Sequence, residues 1–410
     1  MRYSLGEICN FINGGAWSDK EYVTSGLPVL KVTNCKPKGF FLEDIDYLPT
    51  TSAVKYAKNR LNLGDVVIAT VGSHPNLVDS AAGRSSIVNS LVQGFYLNQN
   101  AVCLRTKDSD ILDQSYLGYH TKYRVFQHFI QMRGRGAANQ MRIAIGAIKS
   151  YEFDFPNIDV QHKIANVLSA YDDLIENNQK QIKLLEEAAQ RLYKEWFVDL
   201  RFPGYENVAV VDGVPKGWNV KSIMENDVFV FIKSKVVPFD GEKKYYATSD
   251  VANTTLTGKG EDITFINKPS RASIQPLVNS VWFARMSNTN KILNCYGASA
   301  HLADDAIISS GFAGFTAKER CYGFVYETIV SKYFDEEKNR YATGATQVSL
   351  TNEGLKKIKI LIPPYNVIRQ YSGIVESFMQ KTELLKRENC LLLQARDGFL
   401  PKLMSGELEV

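Results

Sequence analysis

The chain has 410 residues, 45% hydrophobic and 22% charged, with a net charge of +4. Such a length suits two or three domains, and the composition is ordinary for a soluble globular protein that can bury real cores. No apolar run approaches the roughly 18 residues of a membrane span.

The N-terminus, MRYSLGEICNFINGG, lacks the apolar stretch and small-residue cleavage site of a secretory signal. The six cysteines, Cys9, Cys35, Cys103, Cys295, Cys321 and Cys390, form no Cys-x-x-Cys pair. They read as small core residues of a reducing compartment, so a cytoplasmic location is expected.

Residues 64–71, GDVVIATV, read as a short buried strand leaving into the polar loop GSHPN. From Gln114 to Tyr151 there is no acid, but there are Lys122, Arg124, Arg133, Arg135, Arg142 and Lys149. Residues 136–156, GAANQMRIAIGAIKSYEFDFP, carry a short apolar segment, then an alternating strand stopped by Pro156. A helix is predicted over residues 160–200. Its apolar seam is Ile164, Leu168, Tyr171, Ile175, Asn178, Ile182, Leu185, Ala189, Leu192 and Trp196. Steps alternating four and three mark the heptad seam of a left-handed coiled coil, about 60 Å long at about 1.5 Å per residue.

The same order then returns. NSVWFARM at 279–286 is a second buried strand leaving into SNTNK, inside an acid-free block from Ile263 to Ala303 with Lys268, Arg271, Arg285 and Lys291. GATQVSLTNEGLKKIKILIP at 344–363 repeats the Gly-Ala, the Gln and the proline-terminated strand. Gln140 falls on Gln347, Phe153 on Ile360 and Pro156 on Pro363. A second helix over residues 367–404 has the seam Phe378, Thr382, Leu385, Asn389, Leu392, Arg396, Phe399 and Leu403. The chain is written twice. Two such helices, separated by a globular domain, can pair antiparallel. A polar residue on the seam costs stability and fixes register, the role expected of Asn178 and Asn389. The expected fold is α+β: two similar domains, 1–156 and 203–363, joined by an antiparallel coiled coil of two long helices, 157–202 and 364–410.

Acid-free basic loops with amides suit a polyanion: Lys and Arg neutralise phosphates, while Arg, Asn and Gln reach base edges. The first half offers Ser73, His74, Asn76, Arg84, Arg133, Arg135, Asn139 and Gln140. The second offers Arg285, Asn288, Asn290, Lys291, Thr343, Thr346 and Gln347, with Lys233, Lys235 and Arg271 as further candidates. Gln140 and Gln347 recur in both halves, which fits backbone contact or turn bracing better than base choice.

The words LGEICNFINGGAW, GLPVLKVTN, GDVVIATVGS, LYKEWFVDLRFPG with VPKGW, and the closing FLPKLMSGELEV resemble the DNA-specificity subunit of type I restriction–modification systems. The resemblance runs over nearly the whole chain, and it departs most at WNVKSIMENDVFVFIKSK, which lacks the Gly-Gly of the first half. It implies that each target-recognition domain reads one half of a bipartite duplex DNA site and that the coiled coil sets the spacer. It also implies docking to two methyltransferase (M) subunits that methylate adenine N6, with restriction (R) subunits adding ATP-driven cleavage. No cofactor and no active site are expected in the chain itself.

The residues agree with that expectation. LIPPY at 361–365 resembles an amino-methyltransferase box, but Ile362 has no acceptor where the box needs one. No glycine-rich loop to cradle a methyl donor or phosphate follows a strand. Glu242-Lys243-Lys244 is a nominal nuclease E-x-K with no counterpart in the first half. The histidines His74, His120, His128, His162 and His301 have no partner at ligand spacing, so no metal is expected. The alternatives to a specificity subunit are a coiled-coil scaffold without sequence specificity, or a self-contained DNA methyltransferase or nuclease.

Overall fold

The computed structural model describes residues 2–36, 39–42, 45–73, 82–136, 141–344 and 348–410. The chain divides into two compact units, Met1–Ile175 with Cys390–Val410, and Glu176–Asn389. Each is α+β, and each takes part of both long helices.

In unit 1 a four-stranded antiparallel sheet has the order Cys9–Asn13, Ala101–Thr106, Val66–Ala69, Ser85–Ile87. Val66–Ala69 is buried on both faces, which is why its sequence is an unbroken apolar run. Alternate side chains divide between two cores. Val66 and Ile68 pack with Leu117 and Phe126 of the helices Gln114–Lys122 and Arg124–Gln131. Val67 joins Leu30 and Leu97 on the other face. There Leu27–Leu30 runs parallel to Tyr96–Leu97 and antiparallel to Tyr47–Leu48. Arg2–Ser4 pairs with Glu152–Asp154 just before the first long helix. The Gly-Gly of the opening motif has a steric reason: a Cβ on Gly14 would lie 1.8 Å from the Asn98 carbonyl oxygen.

Unit 2 repeats this topology. Its sheet has the order Phe229–Phe231, Phe312–Ala317, Ser280–Ala284, Ile292–Cys295, again antiparallel throughout. Val281 and Phe283 pack with Phe324 and Val325 of the helix Tyr322–Val330, while Trp282 and Ala284 enter the core with Ile308 and Phe312. Lys243–Tyr246 runs parallel to Ala306–Ser309 and antiparallel to Glu261–Ile263. Asn219–Ser222 pairs with Lys359–Ile362 before the second long helix. The duplication legible in the sequence is therefore a duplication of strand order and strand direction.

The first long helix spans Ile158–Tyr193 and closes in a π turn, Lys194–Val198; the second spans Tyr365–Ser405. Asn157 caps the first, its Oδ1 accepting from the Val160 N–H at 3.0 Å. Buried Gln161 ties that helix to unit 1: it accepts from the Asp113 N–H and donates to the Ile111 and Pro156 carbonyls. Within each unit the two helices run antiparallel. In unit 1 Tyr171 meets Phe399, ring centroids 6.0 Å apart, and Asp172 pairs with Arg396. Asp172 also accepts from the Tyr119 hydroxyl at 2.8 Å. In unit 2 Asn178 Nδ2 donates to Glu388 Oε2 at 3.2 Å, Lys386 pairs with Glu186 at 3.2 Å, and the Tyr371 hydroxyl donates to the Ala189 carbonyl at 3.3 Å. Two of the polar seam positions are thus matched to polar partners. Asn178, 5% exposed, faces Glu388, and Arg396 faces Asp172. The Asn389 side-chain Oδ1 is buried without a hydrogen bond among the described residues.

Candidate nucleic-acid interface

In each unit the loop after the central strand is stitched to the segment that precedes the closing strand. In unit 1 Val71–Gly72 pairs antiparallel with Met141–Arg142, and Arg135 bridges Arg142 through two backbone hydrogen bonds of 2.9 and 2.8 Å. Ser73 leaves the end of this ladder. The guanidinium groups of Arg135 and Arg142 are exposed and have no ion pair among the described residues. Arg133, also exposed, lies with its guanidinium 3.5 Å from the centroid of the Phe129 ring and donates to the Phe129 carbonyl. Among the described residues none of these three guanidiniums has a carboxylate partner. Arg84 is placed differently: its Nη1 donates to the Cys35 carbonyl at 2.6 Å, bracing the sheet edge.

In unit 2 the same stitching is made by Met286 bridging Ser349, Thr343 bridging Ser349, and the Ser287 N–H donating to the Val348 carbonyl at 3.0 Å. Asn288 sits at φ +55°, a conformation asparagine tolerates, and its N–H donates to Asn339 Oδ1 at 2.8 Å. Asn288, Asn290 and Thr343 are exposed at this loop cluster.

Arg285 stands apart from what its sequence context suggests. Its guanidinium donates to the carbonyls of Phe312 and Leu350 and to Asn352 Oδ1, at 3.4, 2.9 and 2.8 Å. Burial lowers its pKa below the ordinary arginine value. This geometry holds the strand end to the closing segment. Half-buried Lys291 is likewise turned inward, its Nζ donating to the Thr248 carbonyl at 2.9 Å. Lys233 and Lys235 are exposed after the edge strand Phe229–Phe231, and exposed Arg271 precedes Ala272–Ile274 of the second sheet. His74, Asn76, Asn139, Gln140, Thr346 and Gln347 lie outside the described residues.

The structure adds residues that the sequence did not single out as contacts. Arg142 faces Arg135 across a bridge, and Ser349 faces Thr343 at the matching place in unit 2. Arg142 stood in the acid-free block, but only the strand register shows that it shares a site with Arg135. Among the described residues no cluster of His, Cys, Asp or Glu is arranged to hold a metal, and no helix is long and apolar enough to cross a membrane.

Residues 1–187 match the family model of the type I restriction modification DNA specificity domain. The chain is 27% identical over 318 residues to the type I restriction enzyme MjaIX specificity subunit of Methanocaldococcus jannaschii, covering 72% of this chain and 69% of the relative. It is 20% identical over 491 residues to the HindI specificity subunit of Haemophilus influenzae, covering 99% of both. The crystal structure of the type I restriction–modification S subunit from M. genitalium superposes with a TM-score of 0.55 at 16% identity, over 98% of this chain and 96% of that one, and so shares its fold. Residues 1–187 thus carry a type I restriction modification DNA specificity domain, and the chain is similar over nearly its whole length to specificity subunits of type I restriction–modification systems.

Proposed function

We propose that the chain is the sequence-reading, non-catalytic core of a cytoplasmic methylation and restriction complex. Residues 1–156 and 203–363 serve as two target-recognition domains, each reading one half of a bipartite duplex DNA site. The helices of residues 157–202 and 364–410 set the spacer between the halves and dock two methyltransferase subunits. Those subunits supply adenine-N6 methylation, and restriction subunits add ATP-dependent cleavage.

The observation that carries this reading is the pair of matching loop clusters. One scaffold presents Arg135 and Arg142 at a bridged position in unit 1, and Thr343 and Ser349 at the same position in unit 2. Identical frames with different tips suit two different half-sites. Arginine fits phosphate or guanine, while hydroxyls accept either partner.

The test is a base-resolution methylome of the host with this gene present and deleted, the methyltransferase genes left intact. Loss of N6-methyladenine at one split motif is the expected result and names both half-sites. An unchanged methylome, with the chain expressed beside its partners, refutes the reading and favours a scaffold without sequence specificity.

A further inference from the structure

The loop after the central strand of unit 2, residues 287–291, is held by its backbone and leaves its amide side chains unbound. The Ser287 N–H donates to the Val348 carbonyl at 3.0 Å, the Asn288 N–H to Asn339 Oδ1 at 2.8 Å, and the Thr289 hydroxyl to the Met286 carbonyl at 2.8 Å. The Thr289 carbonyl accepts from Lys338 Nζ. Asn288 and Asn290 are exposed, and neither side chain has a hydrogen-bond partner among the described residues.

Two consecutive residues of the helix Lys332–Tyr341 make the decisive grips. Lys338 is 3% exposed, and its Nζ pairs with Asp335 at 2.8 Å while reaching Thr289. Asn339 Nδ2 donates to Asp335 Oδ2 at 3.3 Å, so its Oδ1 is left to face Asn288. One carboxylate therefore orients both gripping side chains. Burying an amine is costly unless it is paired, and the frame does not require one here. Unit 1 has the equivalent helix, Arg124–Gln131. Arg135 and Thr343 hold the same bridged position, so Phe126 falls on Phe334 and Ile130 on Lys338. Ile130 is wholly buried in the apolar core. Unit 2 has exchanged that core side chain for one whose far end meets the loop and Asp335. The left-handed backbone of Asn288, φ +55°, persists because its surroundings fix it in this way.

We propose that Lys338 and Asn339 are positioning residues that aim the side chains of Asn288 and Asn290 at base edges in one half of the DNA site. This inference rests on the DNA-reading function proposed above. An asparagine amide both donates and accepts, and it pairs with the adenine edge only when its direction is set. A loop whose backbone is pinned before DNA arrives holds that direction without a further ordering cost on association. Released from the clamp, the amides still meet phosphates and water but discriminate less between bases.

The test is the base-resolution methylome of a host carrying the complete complex, with the chain as wild type, Lys338→Met or Asn339→Ala. Lys338→Met keeps a buried unbranched side chain and removes the amine. Asn339→Ala removes the acceptor at a half-buried position, so one variant remains informative if the other folds poorly. Methylation of sites with one wrong base in one half should rise about tenfold relative to the intact motif, while the other half stays strict. This ratio is taken within one methylome, so a smaller amount of folded complex does not move it. Unchanged base preference in both variants, or a loss of methylation without any shift in that ratio, overturns the inference and leaves the clamp a structural brace. A wild-type chain that yields no split motif refutes the DNA-reading function itself and this inference with it, so the two failures are distinguishable.

Discussion

Glu327 offers a test of how unit 2 grips its helix. It lies on the helix Tyr322–Val330, 3% exposed, and its carboxyl accepts from Gln190 Nε2 of the first long helix at 2.6 Å. Burial raises its pKa from 4.5 to about 8; the hydrogen bond from Gln190 pulls it down and the nearby Glu186 carboxylate pushes it up. The folded form therefore holds a proton that the unfolded chain releases near pH 4.5. Stability is greatest below that point, declines as pH rises, and levels off above about pH 8. Each tenfold displacement of proton affinity is worth about 1.4 kcal/mol, so the loss between about pH 5 and pH 8 is on the order of 3 kcal/mol. Glu327→Gln keeps the shape and an acceptor for Gln190 but removes the titration. It should match the wild type near pH 5 and exceed it near pH 8 by roughly 3 kcal/mol, several degrees in melting temperature. Urea unfolding followed by tryptophan fluorescence reads this directly, because Trp196, Trp218 and Trp282 are all buried in unit 2. Parallel pH profiles for the two proteins would refute the reasoning.

Two further perturbations address the helices and the loops. Asn178→Leu should raise the melting temperature, by about 1 kcal/mol of added stability, while yielding more than one assembled species, because the seam loses the polar residue that fixes its register; unchanged melting and assembly remove that role from Asn178. Arg135→Gln with Arg142→Gln should weaken DNA binding by the assembled complex and flatten the dependence of log affinity on log salt by about 1.8 if both side chains meet phosphates, at about 0.9 for each. A salt slope equal to the wild type would take both out of the backbone contact.

The architecture was legible because the signals that encode it are local and repeated. The run VVIA could only be a strand buried on both faces, and its apolar residues do divide between two cores. The heptad seam marked both long helices, and prolines marked their starts. What the sequence did not reveal depends on direction within a loop. Arg285 lies in a basic, acid-free segment like Arg135, yet it turns inward to two carbonyls and Asn352 while Arg135 is exposed. Nothing in the linear pattern distinguishes a guanidinium that braces from one that waits for a ligand. The seam likewise marked Asn178 but not its partner, since Glu388 lies beside the seam position Asn389 and only the helix pairing selects it.

That distinction sharpens what the arginine bridge in unit 1 means. Two like charges facing each other across a strand pair destabilise it by several tenths of a kcal/mol. A carboxylate beside them would offset this, as Asp65 does for Arg105 at 2.6 Å elsewhere in the same unit. At Arg135 and Arg142 no such carboxylate is found among the described residues. Unit 2 avoids the repulsion with Thr343 and Ser349 on the same frame. The fold thus tolerates neutral residues there, so the arginines are not required by the architecture. An anion lying between them would relieve that repulsion, and a DNA phosphate has the charge to do so. We propose on this argument that the Arg135–Arg142 pair makes unit 1 the larger contributor to the salt dependence of DNA binding, and a double substitution that leaves the salt slope unchanged would refute it.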